Sequence, residues 1–494
     1  MKAAPVEGQQ ETRQYKVLPI LFAMLLSGFI GLFGETALNV ALTPLMGLLE
    51  VGPTTIQWLT TAYLLVLGIL VPVSGLMLQW FTTRQLFTTS LIFSIAGTFV
   101  AALAPSFEVL LAARVLQAAG TALLLPLMFN TMLVIFPVEK RGSAMGFIGL
   151  VIMFAPAVGP SISGLILQNL SWHWIFWTSL PFFIISLICG LLFLPNISTL
   201  TKPKIDVLSI ILSTLGFGGI VYGFSSTGGH GGTGGGWSSP VVIAALLIGG
   251  LSLLVFSIRQ LRMKEPMMDL RAFKYPMFTI GLILIFFCMM MLLSSMLVLP
   301  MYLQQGLAVT ALTAGLVLLP GSLLNGFLSP VMGRLFDKFG PRWLVIGGLV
   351  VVAAVLLMYT GINPETPLGM ITALHLFMMI GISMIMMPAQ TNGLNQLPPE
   401  YYPDGTAIMN TLQQVSGAIG TAVAVSILSA GQLRYLNSVA NPDLPEHQLA
   451  GFTAGVQDAF VFALVLAIAG LVISFFVKRV PVGRQAGPQG PTHH

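Results

Sequence analysis

The sequence predicts an all-α protein that crosses a membrane many times. Of its 494 residues, 56% are hydrophobic and only 7% are charged, whereas soluble domains carry about 25% charged residues. Apolar stretches of about 20 residues recur along the whole chain, and each is long enough to cross a bilayer core as a helix. Barrel strands, which also satisfy their backbone hydrogen bonds in lipid, would alternate apolar and polar residues over short segments. These runs are long and continuous, so we expect helices.

The apolar runs predict fourteen spanning helices. In chain order, the expected spans are residues 17–44, 54–79, 84–104, 107–132, 142–168, 173–194, 206–225, 240–259, 275–299, 310–333, 342–361, 367–390, 404–430 and 456–477. Lys and Arg test this number, because both concentrate in short cytoplasmic loops. With the N-terminus inside, all 21 Lys and Arg except Arg114 and Arg434 fall in inner loops or tails. We therefore expect a multi-pass membrane protein with both termini in the cytoplasm, and its net charge of +5 requires no nucleic acid partner.

An internal repeat divides the chain into two halves. Two segments, 71–86 and 329–344, each join the second to the third span of a six-span block, and six of their residues match at a constant offset. The matched pairs are Pro72 and Pro330, Val73 and Val331, Gly75 and Gly333, Phe81 and Phe339, Arg84 and Arg342, and Leu86 and Leu344. The predicted divisions are an N-terminal tail, a six-helix bundle, two inserted helices with flanking loops, a second six-helix bundle and a C-terminal tail, at residues 1–16, 17–194, 195–274, 275–477 and 478–494. Duplicated halves are a common plan of secondary transporters.

Enzyme chemistry finds little support in the sequence. The chain contains no Gly-Lys dipeptide, and therefore no Walker A lysine for an ATP-driven pump, and it has no His-Glu-x-x-His or Gly-x-Ser-x-Gly motif. Its two cysteines, Cys189 and Cys288, both fall inside spans, so no disulfide framework is expected. His230, in a glycine-rich loop, has no partner at metal-ligand spacing. We expect no enzyme activity, no metal and no cofactor, and energy from an ion gradient.

Three polar residues inside spans are the first functional candidates. An ionised carboxylate such as Glu35 costs a few kcal/mol in mid-membrane, and such groups are functional by default. Glu35, Arg114 and His375 all lie on the order of 10–14 Å below the outer surface, at 1.5 Å per helical residue. Each also has a structural interpretation: Glu35 as a permanently neutral hydrogen-bond donor between helices, Arg114 as a donor to backbone carbonyls, and His375 as a core histidine.

His375 is also a candidate for substrate contact, together with three further side chains. Asn39 is one helical turn from Glu35 and shares its face. Trp58 and Tyr63 lie in the outer half of the second span, where aromatic rings can stack on a ligand or anchor the helix at the interface.

Several motifs give the chain a family resemblance. "GRLFDKFGPR" at 333–342 is similar to the inner-loop motif of the major facilitator superfamily, and "RVLQAAGTA" at 114–122 to its fourth-span motif. "GLVIMFAPAVGPSISG" at 149–164 resembles the fifth-span motif of its antiporters. Nearly the whole chain resembles the fourteen-span drug:proton antiporters (EmrB/QacA type), with the lincomycin-efflux type nearest. The resemblance implies a major facilitator fold of two six-helix bundles plus two extra helices, in the bacterial cytoplasmic (inner) membrane.

The resemblance also implies roles for particular residues. The first, fourth and twelfth spans would line a central cavity. Gly333, Asp337 and Arg342 would belong to a gating motif that holds neighbouring helices in the outward-open state. Pro156, Gly159, Pro160 and Gly164 would form the antiporter motif, which the family associates with preventing proton leak; the spacing of these residues by itself indicates a kinked, closely packed helix.

Two departures from the family pattern bear on function. Gln79 stands where the first-half inner loop usually has Asp, which places the charge contact of that half in doubt. In the first span the family usually reads Asp-x-Thr-x-x-Asn, whereas this chain has Gly34 at the acidic position and Glu35 one residue later. The acid is thus rotated by about 100° around the helix, and the family role transfers only if the longer Glu side chain reaches the same space.

The expected function is proton-coupled antiport. Glu35 would carry the proton and Arg114 would tune it, while a small amphipathic drug leaves the cell by alternating access through a monomer in the lipid bilayer. One alternative is an exporter or flippase of a lipid or an endogenous metabolite. Another is a membrane sensor or scaffold that transports nothing.

Overall fold

Fourteen long helices make up most of the part of the chain that the structure describes. The computed structural model describes residues 17–51, 53–56, 58–137, 140–197, 200, 206–227, 237–264 and 266–480. The long helices are α1 (Val17–Ala37), α2 (Trp58–Trp80), α3 (Thr83–Ala102), α4 (Phe107–Ile135), α5 (Arg141–Asn169), α6 (Trp174–Phe193), α7 (Val207–Thr227), α8 (Pro240–Arg262), α9 (Pro276–Met301), α10 (Ala311–Phe339), α11 (Pro341–Tyr359), α12 (Leu368–Asn395), α13 (Tyr402–Leu436) and α14 (Pro445–Ser474). Thirteen of these helices are long and apolar enough to cross a membrane. The remaining long helix is α5, with 29 residues. The all-α, fourteen-helix prediction is confirmed.

The helices begin and end somewhat differently from the apolar runs. The first predicted span, 17–44, is broken: α1 ends at Ala37 and continues as a 3-10 turn, Leu38–Ala41, and a short helix, Leu42–Leu48. The last helix begins at Pro445 rather than near residue 456, because its first turn is polar and carries no hydropathy signal, while proline is well suited to a first helical turn. Hydropathy marks the part of a helix that lies in lipid, and these helices continue beyond it.

Capping residues and one glycine set the tight turns at one end of the bundle. Thr82 begins α3 with a capping box, its hydroxyl accepting from the Gln85 amide while the Gln85 side chain accepts from the Thr82 amide. Gly340, at φ +82°, separates α10 from α11. We call this end, where α2 leads into α3, α4 into α5 and α10 into α11, the inner end; the charge pattern predicts that it faces the cytoplasm.

Two helix pairs make the most extensive contacts between the predicted halves. Helix α5 packs along α10, and α2 packs along α13. Within the N-terminal half, α1 contacts α4, α5 and α6, so its polar end lies among helices of its own half.

The inserted helices pack beside the junction of the halves. Helices α7 and α8 contact each other closely at Gly219 and Gly249, where a Cβ on either would meet backbone atoms. Helix α7 contacts α2 and α13, with Phe217 and Val221 in a cluster with Val415 of α13. Helix α8 packs mainly on α7 and exposes most of its apolar side chains.

Candidate functional site

The centre of the candidate site is Arg114 of α4, which is completely buried (0% exposed). Its Nη1 donates to the carbonyl oxygen of Gly34 at 2.9 Å, its Nη2 to that of Glu35 at 3.5 Å, and its Nε to that of Leu59 on α2 at 3.2 Å. Gly34 and Glu35 are among the last four residues of α1, whose carbonyls have no α-helical partner. Arg114 therefore satisfies the carbonyl end of α1, where a cation is also favoured by the helix dipole.

A second set of contacts ties Arg114 to α2 and α3. The guanidinium lies 4.2 Å from the centre of the Tyr63 ring, within range of a cation–π interaction. Its Nη1 also donates to Gln117 Oε1 at 3.1 Å, and Gln117 Nε2 donates to the Thr98 hydroxyl at 3.0 Å. The Tyr63 hydroxyl lies 2.9 Å from that of Thr121. Tyr63 thus belongs to the polar interior of the N-terminal half.

A small cavity borders this network. Its volume is about 10 Å³, room for about one water molecule. Its polar lining comes from α2, α3, α4 and α6: Tyr63, Ser94, Thr98, Arg114, Gln117, Thr121 and Ser179. Ser179 of α6 therefore lines a polar space beside Arg114.

Glu35 lies next to this network without joining it through its side chain. Its backbone accepts from Arg114, but among the described residues no ion pair within 4.0 Å and no hydrogen bond engages its carboxyl group. The side chain is half-buried. The equal depth of Glu35 and Arg114 therefore does correspond to spatial proximity, although the direct contact is to the backbone. A half-buried carboxyl group without a partner can exchange a proton.

The antiporter motif meets α1 at this same turn. A Cβ placed on Gly159 of α5 would collide with the Thr36 hydroxyl, so α5 and α1 are in close contact beside Glu35. Nothing lies within 4 Å of a Cβ on Gly164, and Pro156 is half-buried. The Pro160 side chain is outside the described part of the structure, as is that of Asn39, whose backbone forms part of the 3-10 turn after α1.

His375 and Trp58 lie elsewhere. His375 is buried (2% exposed) in α12 against Gly321 and Ser322 of α10, with its Nε2 3.4 Å from the Ser322 hydroxyl. His375 and Glu35 have similar depths but are not neighbours, because His375 packs inside the C-terminal half. Trp58 is 40% exposed, and its ring centre lies 6.0 Å from that of Tyr222 on α7. It sits at the outer side of the inserted pair and not in the polar network.

The gating motif forms a contact between the halves at the inner end. Asp337, near the end of α10, accepts from the backbone N–H of Gly142 at 3.1 Å and from the N–H and hydroxyl of Ser143, each at 3.2 Å. It thereby caps the first turn of α5, where a negative charge is favoured. Gly333 approaches the Gly142 carbonyl so closely that a Cβ would not fit. Arg342 is exposed at the start of α11.

Two arginines assigned by sequence only to membrane topology take part in this inner contact. Arg141 donates from Nη1 to the Tyr402 hydroxyl of α13 at 2.6 Å and from Nη2 to the Leu133 carbonyl at 2.7 Å. Arg479 donates to the backbone carbonyl of Asp337 at 2.8 Å. The sequence offered one signal for this role: Arg141 directly precedes the first turn of α5, which Asp337 of the gating motif caps.

Comparison with known proteins agrees with this architecture. Residues 24–421 match the Major Facilitator Superfamily. Lincomycin resistance protein LmrB of Bacillus subtilis (strain 168) is 67% identical over 471 residues, covering 95% of this chain and 98% of that protein. LmrB of Listeria innocua is 61% identical over 474 residues, covering 95% and 99%. The solved structure of the proton:xylose symporter XylE, bound to 6-bromo-6-deoxy-D-glucose, has a TM-score of 0.65 at 13% identity, covering 94% of this chain and 96% of that chain.

The XylE comparison concerns the fold alone, whereas the relatives confirm the resemblance drawn from the motifs. The chain is a multi-pass membrane transporter and belongs to the major facilitator superfamily.

Proposed function

We propose that this protein exports amphipathic drugs across the bacterial cytoplasmic membrane in exchange for protons, as a secondary active transporter that works as a monomer. The observation that carries the proposal is the half-buried carboxyl group of Glu35, which has no partner among the described residues, beside the buried charge of Arg114. Intramembrane acids of this kind mark proton and substrate pathways.

The cargo class follows from the relatives. Two relatives above 60% identity are lincomycin resistance proteins, and the more distant pur8 of Streptomyces alboniger, at 26% identity, is a puromycin resistance protein. Both names concern antibiotics, which favours a drug over a lipid as the exported compound. Cargo would enter from the cytoplasm and leave on the outer side.

The proposed cycle alternates access to Glu35. While the inner end is closed, as it is here, the outer side supplies a proton to the carboxyl group. When the inner end opens, cargo binds and favours release of that proton to the cytoplasm. Arg114 is held by the carbonyls at the end of α1, so a shift of α4 against α1 changes the field at Glu35 and biases its charge state.

Reconstituted protein tests the proposal directly. In liposomes with an imposed pH gradient, wild-type protein should move lincomycin against its concentration gradient, and Glu35→Gln should abolish the gradient-driven part while retaining binding of neutral compounds. Glu108→Gln is the matched control, because Glu108 is an exposed acid in the first turn of α4. Equal gradient-driven transport by Glu35→Gln would contradict the proton-carrier role, and gradient-independent movement of labelled lipid instead of drug would contradict the cargo class.

A further inference from the structure

A second buried carboxyl group lies at the inner end, far along the chain from Glu35. Asp404, in the first turn of α13, is only 5% exposed. Its Oδ1 is buried and has no hydrogen-bond partner within the described residues. An ionised carboxylate with an unpaired oxygen in a dry contact is costly, whereas the protonated group is tolerated.

The location of Asp404 is the contact between α2 and α13. A Cβ on Gly75 of α2 would lie 3.1 Å from the Ala407 Cβ, 3.6 Å from the Pro403 carbonyl and 3.7 Å from Asp404 Oδ1. The carboxyl group therefore faces the surface along which the two halves meet.

The internal repeat relates this contact to the one made by Asp337. Gly75 matches Gly333 in the repeat, and Gln79 occupies the position that matches Asp337. In the α10–α5 contact the acid lies on the end of α10 and caps α5. In the α2–α13 contact α2 carries the neutral Gln79, and the acid is supplied by the facing helix, as Asp404.

Among the described residues, the charged groups around Asp404 leave it without a cation of its own. On the loop before α9, the Asp269 backbone amide interacts with the Asp404 carboxyl group, and the Asp269 side chain is a second acidic group nearby. Arg271 is paired with Asp269 at 3.6 Å, and Arg141 is engaged by the Tyr402 hydroxyl. Apolar side chains approach this turn at Gly405: Phe278 of α9, Leu394 of α12, and Leu397 just beyond the end of α12.

Two influences act in opposite directions on the charge of Asp404, the N-terminus of α13 and burial against α2, and opening the inner end changes only the second. The N-terminus of α13 favours a negative charge in its first turn, and this influence moves with the helix. Burial against Gly75 disfavours the charge, and this influence disappears once α2 and α13 separate and water enters.

We propose that Asp404 is a second proton-linked carboxyl group, neutral while α2 and α13 are in contact and ionised after they separate. Its proton passes to cytoplasmic water on opening and returns on closing. The inner end therefore opens more readily as the cytoplasmic pH rises. Its use in export rests on the proposed function, but the pH dependence of opening needs neither cargo nor transport.

The test measures the inner-end distance as a function of pH, without cargo. Spin labels replace Phe81 and Glu400, both exposed at the inner end on either side of this contact. One proton released on opening changes the open-to-closed ratio by up to about tenfold per pH unit. The Asp404→Asn variant imitates the neutral acid in size and shape and should stay closed. The pH dependence of its open-to-closed ratio should be weaker than that of the wild type by up to about tenfold per pH unit.

Asp206→Asn is the matched control, because it removes an acid at the inner end of α7 whose carboxylate is paired with Arg259 of α8 at 2.7 Å, and it should leave the pH response unchanged. A wild-type pH response in Asp404→Asn would overturn the proposal. The distance change is read in a Glu35→Gln background as well, where the Asp404 step should persist. Failure of Glu35 as a carrier is thus distinguishable from failure of Asp404 as a sensor.

Discussion

Replacing Asp337 by Asn should weaken closure of the inner end. The carboxylate accepts three hydrogen bonds from the first turn of α5. Asn keeps the shape and an acceptor oxygen but loses the charge. Hydrogen bonds to charged groups contribute about 1.5–3 kcal/mol against about 1 kcal/mol for neutral pairs, and a charge at a helix N-terminus contributes about 0.3–2 kcal/mol. A net loss of about 1–2 kcal/mol lowers the closed-to-open ratio about 5- to 30-fold.

The assay combines a distance measurement with cargo binding. Labels at Lys140 and Trp343, exposed on opposite sides of the α5–α10 contact, report the closed-to-open ratio, and equilibrium binding reports the cargo site. Asp337→Asn should lower the closed population and the transport rate while leaving cargo binding largely intact. An equal loss of cargo binding would refute the gate assignment, as would an unchanged distance distribution.

Three further changes test other contacts. Tyr402→Phe removes the hydroxyl that binds Arg141 but keeps the ring 4.9 Å from the guanidinium. The closed state should lose about 1.5–3 kcal/mol of stability, and the label distance should show a larger open population. Gly159→Ala should separate α5 from α1 and reduce drug efflux, whereas Gly164→Ala, with open space at its Cβ, should not. The Arg259 hydrogen bond lowers the pKa of Asp206 from its ordinary value of 3.8 to about 2. The Asp206–Arg259 ion pair should therefore contribute at most about 1 kcal/mol to stability above pH 3.8. Thermal unfolding should show this contribution disappearing as the pH falls toward 2.

Length and hydropathy were sufficient to predict the helices, because a spanning helix must be about 20 apolar residues long whatever it packs against. The same rule misses what lies outside lipid. The polar first turn of α14, from Pro445, has no hydropathy signal, and the break in α1 after Ala37 lies within a continuous apolar run.

Depth along a helix predicted the site only in part. Glu35 and Arg114 are close because α1 and α4 are neighbours, whereas His375 has the same depth on a helix that turns it toward α10. Rotation about the helix axis and the choice of neighbour are set by packing, which a single sequence does not contain. Arg141 and Asp404 were missed for the same reason: one counted as a topology charge and the other lay at the edge of a span.

The central claim is that Glu35 carries the transported proton. Purified protein in weakly buffered detergent solution, mixed with saturating lincomycin, reports the protons released on cargo binding through a pH indicator. Wild-type protein should release protons, and Glu35→Gln should lose the proton that Glu35 supplies, while Glu108→Gln releases as many as wild type. Undiminished release from Glu35→Gln would contradict the account and move the search to the other buried titratable groups, His375 first.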